Sequence, residues 1–255
     1  MPAPPRLFVE PDTLMTNQEE FLLKGREMVH AVRVLRMRPG EEVILTDGLG
    51  HLARTRITSV EKNGLLLQYI ERLSLADDRL PISLLAALLK PEKMDMVIQK
   101  ATELGVKEIW PVSTEYSMSK NHFTHTGQQA RQARWTEIAR QALKQCRGAF
   151  LPEIHAIMPL KAACSALNEK TCDYTRLFCW EAAATTTDAT WPEITPPCIL
   201  ALGPEGGFSD SDCRVLHDQK FLPVSLGQRI LRAETAAIAA ISITAHLISR
   251  SKTND

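Results

Sequence analysis

No window of this 255-residue chain reaches the roughly 18 to 20 uninterrupted apolar residues of a bilayer span, so a membrane helix is not expected. The opening Met1-Pro2-Ala3-Pro4-Pro5-Arg6 also lacks the apolar core of a secretory leader, and the sequence predicts a soluble, cytoplasmic protein. Net charge is missing too: thirty basic and thirty acidic residues cancel, so a polyanion must be held by a local patch and not by the global field. None of Cys146, Cys164, Cys172, Cys179, Cys198 and Cys213 belongs to a C-x-x-C pair, and His122-x-x-His125 has no cysteine spaced to complete a zinc site. Buried reduced thiols and no metal are expected. The chain has no G-x-x-x-x-G-K-[ST], no G-x-G-x-x-G after its first strand, no G-x-S-x-G and no H-E-x-x-H. P-loop, dinucleotide, serine-hydrolase and zinc-protease chemistry therefore lose their support.

What the chain has is a glycine-bearing turn between a strand and a helix. Cys198-Ile199-Leu200-Ala201-Leu202 reads as a buried strand, followed by Gly203-Pro204-Glu205-Gly206-Gly207-Phe208 and then a polar segment, Ser209 to Asp218, that reads as a helix. Ser209 and Asp212 have the spacing of a capping box. Three glycines within five residues lack Cβ atoms, so a flat ligand can approach peptide groups directly. Further on, Leu226-Gly227-Gln228-Arg229-Ile230-Leu231-Arg232-Ala233-Glu234-Thr235-Ala236 carries a second such turn into an Ala-rich helix running to about Ile248.

Residues 1–73 have a different texture from the rest. Leu7-Phe8-Val9, Glu42 to Thr46, His51 to Ile57 and Leu65 to Ile70 read as short strands, with Asp47-Gly48 and Asn63-Gly64 as turns, which suggests a small β-barrel. Between them, the spacing of Phe21, Leu22, Val29, Val32 and Leu35 predicts helical segments over Asn17 to Met37. Residues 74–81 form a polar, Pro-terminated linker, and 82–255 a second domain. There, strands at Ile82 to Leu88, Glu108 to Val112, Arg176 to Trp180, Cys198 to Leu202 and Leu222 to Leu226 alternate with helices at Lys93 to Leu104, Gly127 to Cys146 and beyond. That alternation predicts a parallel α/β sheet covered on both faces.

The two glycine turns, with Lys100-Ala101-Thr102-Glu103-Leu104-Gly105-Val106 upstream, resemble the RsmE family of SPOUT methyltransferases, which methylate N3 of a uridine in 16S ribosomal RNA. Arg6-x-Phe8-Val9, His30-x-x-x-Val34-Leu35-Arg36 and Asp47-Gly48-x-Gly50 match that family's PUA-like domain, so the similarity spans nearly the whole chain. The resemblance implies a trefoil-knotted C-terminal domain, a homodimer acting on the small ribosomal subunit, and S-adenosylmethionine held at Leu202, Gly203, Gly207, Leu226, Gly227, Ile230, Leu231 and Arg232. Arg232 is the expected stabiliser of a uracil anion, with Glu205 or Glu234 orienting Arg232 or the base.

Arg6, His30, Arg33, Arg36 and Lys100 are candidates for RNA contact, and Arg38 joins the cluster of His30, Arg33 and Arg36. A further basic group, Lys120, Arg131, Arg134, Arg140, Lys144 and Arg147, faces one acid, Glu137. Glu115-Tyr116-Ser117, Lys144-Gln145 and Gly148 depart from the family pattern, which ties the methyl donor more closely to the sequence than the target nucleotide. The alternatives are a related methyltransferase for another rRNA or tRNA site and an RNA-binding assembly factor without activity.

Overall fold

Short aliphatic runs broken by turn residues build the first sheet, because a strand that meets an Asp-Gly or Asn-Gly pair folds back on its neighbour. A computed structural model of the chain describes residues 3–15, 19–117, 125–170, 173–181 and 191–251. Its contacts separate two compact units, Met1–Asp78 with Arg140–Leu151, and Arg79–Ala139 with Pro152–Asp255. The stretch expected as a linker, 74–81, runs from the end of one strand at Ser74 to another that begins at Leu80. Residues 140–151, placed in the second domain by the linear reading, group with the first unit.

In the first unit, β1 (Arg6–Phe8), β2 (Glu20–Leu23), β3 (Glu42–Thr46), β4 (His51–Glu61) and β5 (Gly64–Ser74) form a five-stranded sheet in the order β1-β3-β4-β5-β2. The β3-β4-β5 meander is antiparallel, with two register shifts between β4 and β5. Asp47 fixes the first turn by accepting the backbone N–H of Leu49 at 2.7 Å. Leu7, Val43, Leu45, Ile57, Leu65 and Leu67 fill the core against this sheet. Each such side chain contributes about 1.5 to 3 kcal/mol by leaving water.

The helical expectation over Asn17 to Met37 holds only in its second half. Residues 16–18 lie outside the described ones, and Glu20–Leu23 is β2, paired antiparallel with β5 so that Phe21 sits opposite Leu67. Two adjacent apolar residues fit either period, and an available strand edge decides for β. Helix follows α1 (Pro11–Met15) and β2 only as α2 (Gly25–Val29) and a π-helical turn (His30–Val34).

In the second unit, β6 (Leu80–Ala87), β7 (Val106–Ser113), β8 (Glu153–Ile154), β9 (Met158–Pro159), β10 (Thr175–Cys179), β11 (Cys198–Leu202) and β12 (Leu222–Val224) make a seven-stranded sheet. Its order is β12-β10-β11-β6-β7-β8, with β9 also on β7, and every pairing is parallel. Parallel neighbours need crossovers that cover the sheet on both sides. Here α3 (Pro91–Glu103) packs against α7 (Ala233–Ser251), and α5 (Leu160–Lys170) against α6 (Asp210–Asp218); between β7 and β8 the chain forms the long α4 (His125–Cys146). Strand β6 shows why such strands read as unbroken apolar runs. Leu85 and Ala87 join a core with Trp110, Leu167, Phe178 and Leu216, while Ile82 and Leu84, one residue out of step, are equally buried. Among the described residues no helix is long and apolar enough to cross a membrane.

One buried carboxylate is built into this sheet. Glu108 on β7 accepts hydrogen bonds from Lys170 at 2.9 Å, the Trp110 indole at 2.9 Å and the Ser83 hydroxyl at 3.2 Å, with His155 Nε2 at 3.8 Å. His155, Lys170 and Trp110 together outweigh desolvation and hold the Glu108 carboxyl well below the usual carboxylate range. A carboxyl depressed in the folded state stabilises above its unfolded pKa and loses that contribution as pH falls towards its folded one. Glu108→Gln is therefore expected to lower stability by roughly 2 to 4 kcal/mol at pH 7. Urea denaturation from pH 7 downward checks this: the gap from the unsubstituted protein should narrow below the ordinary carboxyl value of 4.5.

Candidate active site

In a parallel sheet every strand leaves by the same edge, so loops after neighbouring strands converge. At the carboxyl ends of β10, β11 and β12 they enclose a cavity of about 340 Å³, within the range of small-molecule clefts. Cys179, Trp180 and Glu181 come from the end of β10, Leu202 to Glu205 with Gly207 and Phe208 from β11, and Ser225 to Ala233 from β12. Lys93, on the first turn of α3, and Ala236 of α7 complete the wall.

The local chemistry of each loop explains its shape. Gly207 has φ of 73° and its N–H donates to the Pro204 carbonyl at 2.9 Å, closing a tight turn. A Cβ at Gly207 would stand 3.3 Å from Glu181 Oε1, so the glycine lets two of the three loops approach. Ser209 and Asp212 then cap α6 reciprocally as the sequence predicts, each backbone N–H reaching the other side chain at 3.1 Å. Gly227 has φ of 107° with open space around its Cβ position, so backbone conformation and not crowding selects glycine there. The Ser225 hydroxyl accepts its N–H at 3.1 Å, and the Trp191 indole donates to the Ser225 carbonyl at 2.9 Å.

All eight residues expected to hold a cofactor, Leu202, Gly203, Gly207, Leu226, Gly227, Ile230, Leu231 and Arg232, line this cavity, and Glu205 joins them. Ile230 is 85% exposed. Among the described residues no ion pair joins Glu205 or Glu234 to Arg232. Both carboxylates turn to Lys93 instead, whose Nζ lies 3.3 Å from Glu205 Oε1 and 3.6 Å from Glu234 Oε2. Burial opposes ionisation of Glu205, but its own backbone N–H, that of Lys90 and the Lys93 ammonium prevail and hold its carboxyl below the ordinary value. Glu234 Oε2 is buried and accepts no hydrogen bond from a described residue. Arg232 makes no ion pair with a described residue.

Lys93, Trp180, Glu181 and Ser225 were not among the sequence candidates. Trp180 and Glu181 had a usable signal, since they follow an apolar strand whose neighbour ends in Gly203. Lys93 had none, because a lysine in the first turn of an amphipathic helix reads as a solvated position.

The basic candidates separate in the same way. In the first unit Arg33, Arg36 and Arg38 are exposed, His30 is half-buried, and none forms an ion pair with a described residue. Arg6 instead donates to the Gly148 carbonyl, and burial leads the causes that lower its pKa. Lys144, with its side chain 8% exposed, pairs with Glu27 at 2.8 Å, and Arg140 lies over the Phe8 ring at 5.1 Å. The departures at Lys144 and Gly148 thus serve internal contacts of this unit. In the second unit Lys100 binds Glu103 at 2.8 Å, and Arg134 binds Asp95. Lys120, His122 and Cys172 lie outside the described residues, as does the His125 side chain.

Comparison with known proteins places both units. A family model described as an RNA methyltransferase domain matches residues 76–245, and one described as an RNA methyltransferase PUA domain matches residues 23–68. The chain is 28% identical to the Ribosomal RNA small subunit methyltransferase E of Mycobacterium bovis, over 94% of this chain and 91% of the relative. To the protein of that name from Bacillus subtilis it is 28% identical, over 87% and 88%. Among solved structures, a Ribosomal RNA small subunit methyltransferase E from Neisseria gonorrhoeae bound to S-adenosyl methionine superposes with a TM-score of 0.79 at 27% identity, covering 96% of this chain and 98% of that one. A Legionella pneumophila protein in complex with bound SAM gives 0.80 at 30%, with 96% and 98% coverage.

Burial pushes the thiols of Cys179 and Cys198 up to about 12 and that of Cys164 to about 11. Thiolate is the reactive form, so these three should resist iodoacetamide in the native protein at pH 8, while exposed Cys146 is alkylated. Peptide mass mapping after brief labelling checks the order.

Proposed function

This chain belongs to the RNA methyltransferase family whose domain model spans residues 76–245, and from that premise we propose that it transfers a methyl group from S-adenosylmethionine to N3 of a uridine in 16S ribosomal RNA. The observation that carries the reading is the single cavity formed by both glycine turns, because backbone groups from separate loops converge there on one small-molecule volume. The residues present fit the donor. Main chain at Gly203, Gly207 and Gly227 lines the cavity with no Cβ to hold a ligand off, and Leu202, Phe208, Leu226 and Leu231 supply apolar surface for a purine. When bound, S-adenosylmethionine supplies a methyl carbon already made electrophilic by its sulfonium.

What the chain must add is orientation and charge. Uracil N3 becomes a nucleophile by losing its proton, which spreads negative charge over the ring, and a fixed guanidinium beside it lowers the energy of that anion. Arg232 fits this role because it lines the cavity without an ion-pair partner among the described residues. Glu205 and Glu234 are held by Lys93, which leaves the Arg232 guanidinium free of a carboxylate among the described residues. Arg33, Arg36 and Arg38, with His30, make the RNA-contact surface of the PUA-like unit, where phosphate and 2′-hydroxyl recognition of folded RNA needs exposed donors. Arg6 and Lys100, engaged internally, contribute less to it than the sequence suggests.

Ile230 supports a homodimer, since an aliphatic side chain 85% exposed at the rim of a cavity is what a second copy of the chain would cover. The knotted passage of the C-terminal segment, an assembled small subunit as substrate and a cytoplasmic location belong to the same reading.

Ribosomal RNA from a strain lacking this chain should have lost one 3-methyluridine in its 16S species, mapped by nucleoside mass spectrometry; an unchanged 16S profile overturns the reading. Arg232→Ala should reduce turnover on assembled small subunits by about a hundredfold or more, measured with radiolabelled methyl donor. Near-normal turnover would remove Arg232 from the mechanism.

A further inference from the structure

Lys93 stands where two acidic residues from different loops meet. Glu205 belongs to the turn after β11, Glu234 to the first turn of α7, and one ammonium lies within ion-pair distance of both. The same cavity wall carries Arg232, two residues before Glu234 in the chain and without an ion pair to a described residue. Lys93, Arg229 and Arg232 line this cavity with Glu181 and Glu205, and Glu234 reaches Lys93 from α7, so the pairing could have gone otherwise. A guanidinium is the stronger carboxylate partner, offering a planar fork of donors where an ammonium offers a point charge. Yet both acids pair with the lysine.

We propose that Lys93 is a positioning residue of the methyl-transfer site: it holds Glu205 and Glu234 to itself and thereby leaves the Arg232 guanidinium uncommitted for the nucleobase. The inference rests on the role given to Arg232 above and extends it. Geometry provides the means. Lys93 is anchored on the first turn of α3, a helix whose buried face of Met94, Val97, Ile98 and Ala101 fixes it in the unit. The backbone N–H of Lys90, just before that helix, reaches Glu205 at 3.4 Å and fastens the same carboxylate from a second side. Glu234 Oε2 accepts no hydrogen bond from a described residue, so its contact with Lys93 is the charge interaction that restrains it. Remove the ammonium, and an ionised carboxylate remains at a cavity whose lining also carries a guanidinium without an ion pair to a described residue. Pairing between them follows from charge alone, and Arg232 is then lost to the substrate.

The test is an epistasis series read as kcat and KM for methyl transfer to assembled small subunits. Lys93→Met should lower kcat by ten- to a hundredfold while KM for S-adenosylmethionine changes less than about threefold, and Lys93→Arg, which keeps the charge, should retain most of kcat. Lys93→Met added to Arg232→Ala should reduce kcat by no more than about twofold further. Joining Lys93→Met to Glu205→Gln and Glu234→Gln removes the acids that would capture Arg232 and should recover kcat to within a few-fold of the unsubstituted protein. That triple variant has no uncompensated acid at this place, so it also answers the question should Lys93→Met alone fail to fold. Independent, multiplicative losses for Lys93→Met and Arg232→Ala would overturn the proposal, as would an inactive but folded triple variant. If Arg232→Ala turns over normally, the role of Arg232 itself falls; if it does not and Lys93→Met is fully active, only the positioning role of Lys93 falls.

Discussion

The parallel register of β10, β11 and β12 is the constraint on which the cavity depends. Three neighbouring strands running the same way must release their chains at one edge, and the segments that follow have only each other and the solvent to fold against. Strand ends are apolar and fully buried up to Leu202, then change abruptly to a turn that carries no Cβ at Gly203, Gly206 or Gly207. The sheet sets where the loops begin, and the glycines set how closely they approach. Glu181 beside Gly207 shows the second effect, since a methyl group at that position would stand 3.3 Å from its carboxylate oxygen, closer than side chains ordinarily come.

Charge in the site follows a different logic from charge on the surface. Exposed pairs such as Arg56 with Glu42 contribute little because water screens them. At the cavity both acids go to Lys93, while Arg232 has no ion pair with a described residue. Glu108 is the contrasting case: a carboxylate with several donors around it that serves the sheet.

Much of this architecture is legible in the sequence where one physical signal dominates. The strand at Cys198 to Leu202 and the capped helix after it match their predicted bounds because an apolar run, a glycine turn and a Ser-x-x-Asp box each point the same way. Strand β2 is not legible, since Phe21 and Leu22 have no period of their own and become a strand only by pairing with β5. Helix α5 falls outside the predicted elements although Leu160, Ala163, Cys164 and Leu167 are spaced as a helical face. For the site, the glycine and apolar positions are legible and the ion pairing is not. Which of two cations an acid chooses depends on three-dimensional proximity across more than a hundred residues, as Lys93 and Glu205 illustrate, and no local pattern encodes it.

The first unit is discontinuous in the chain, and this has a consequence for biosynthesis. Its sheet is finished by Asp78, but Arg140–Leu151 belongs to the same body and supplies Ala149 to its core, Lys144 to Glu27 and the Gly148 carbonyl to Arg6. A ribosome making this protein from its amino end has therefore released every strand of the PUA-like sheet well before the segment that completes it emerges. Until then Glu27 is without its lysine and Arg6 without its acceptor. The nascent N-terminal unit must wait until Leu151 has been translated before it can reach its final form.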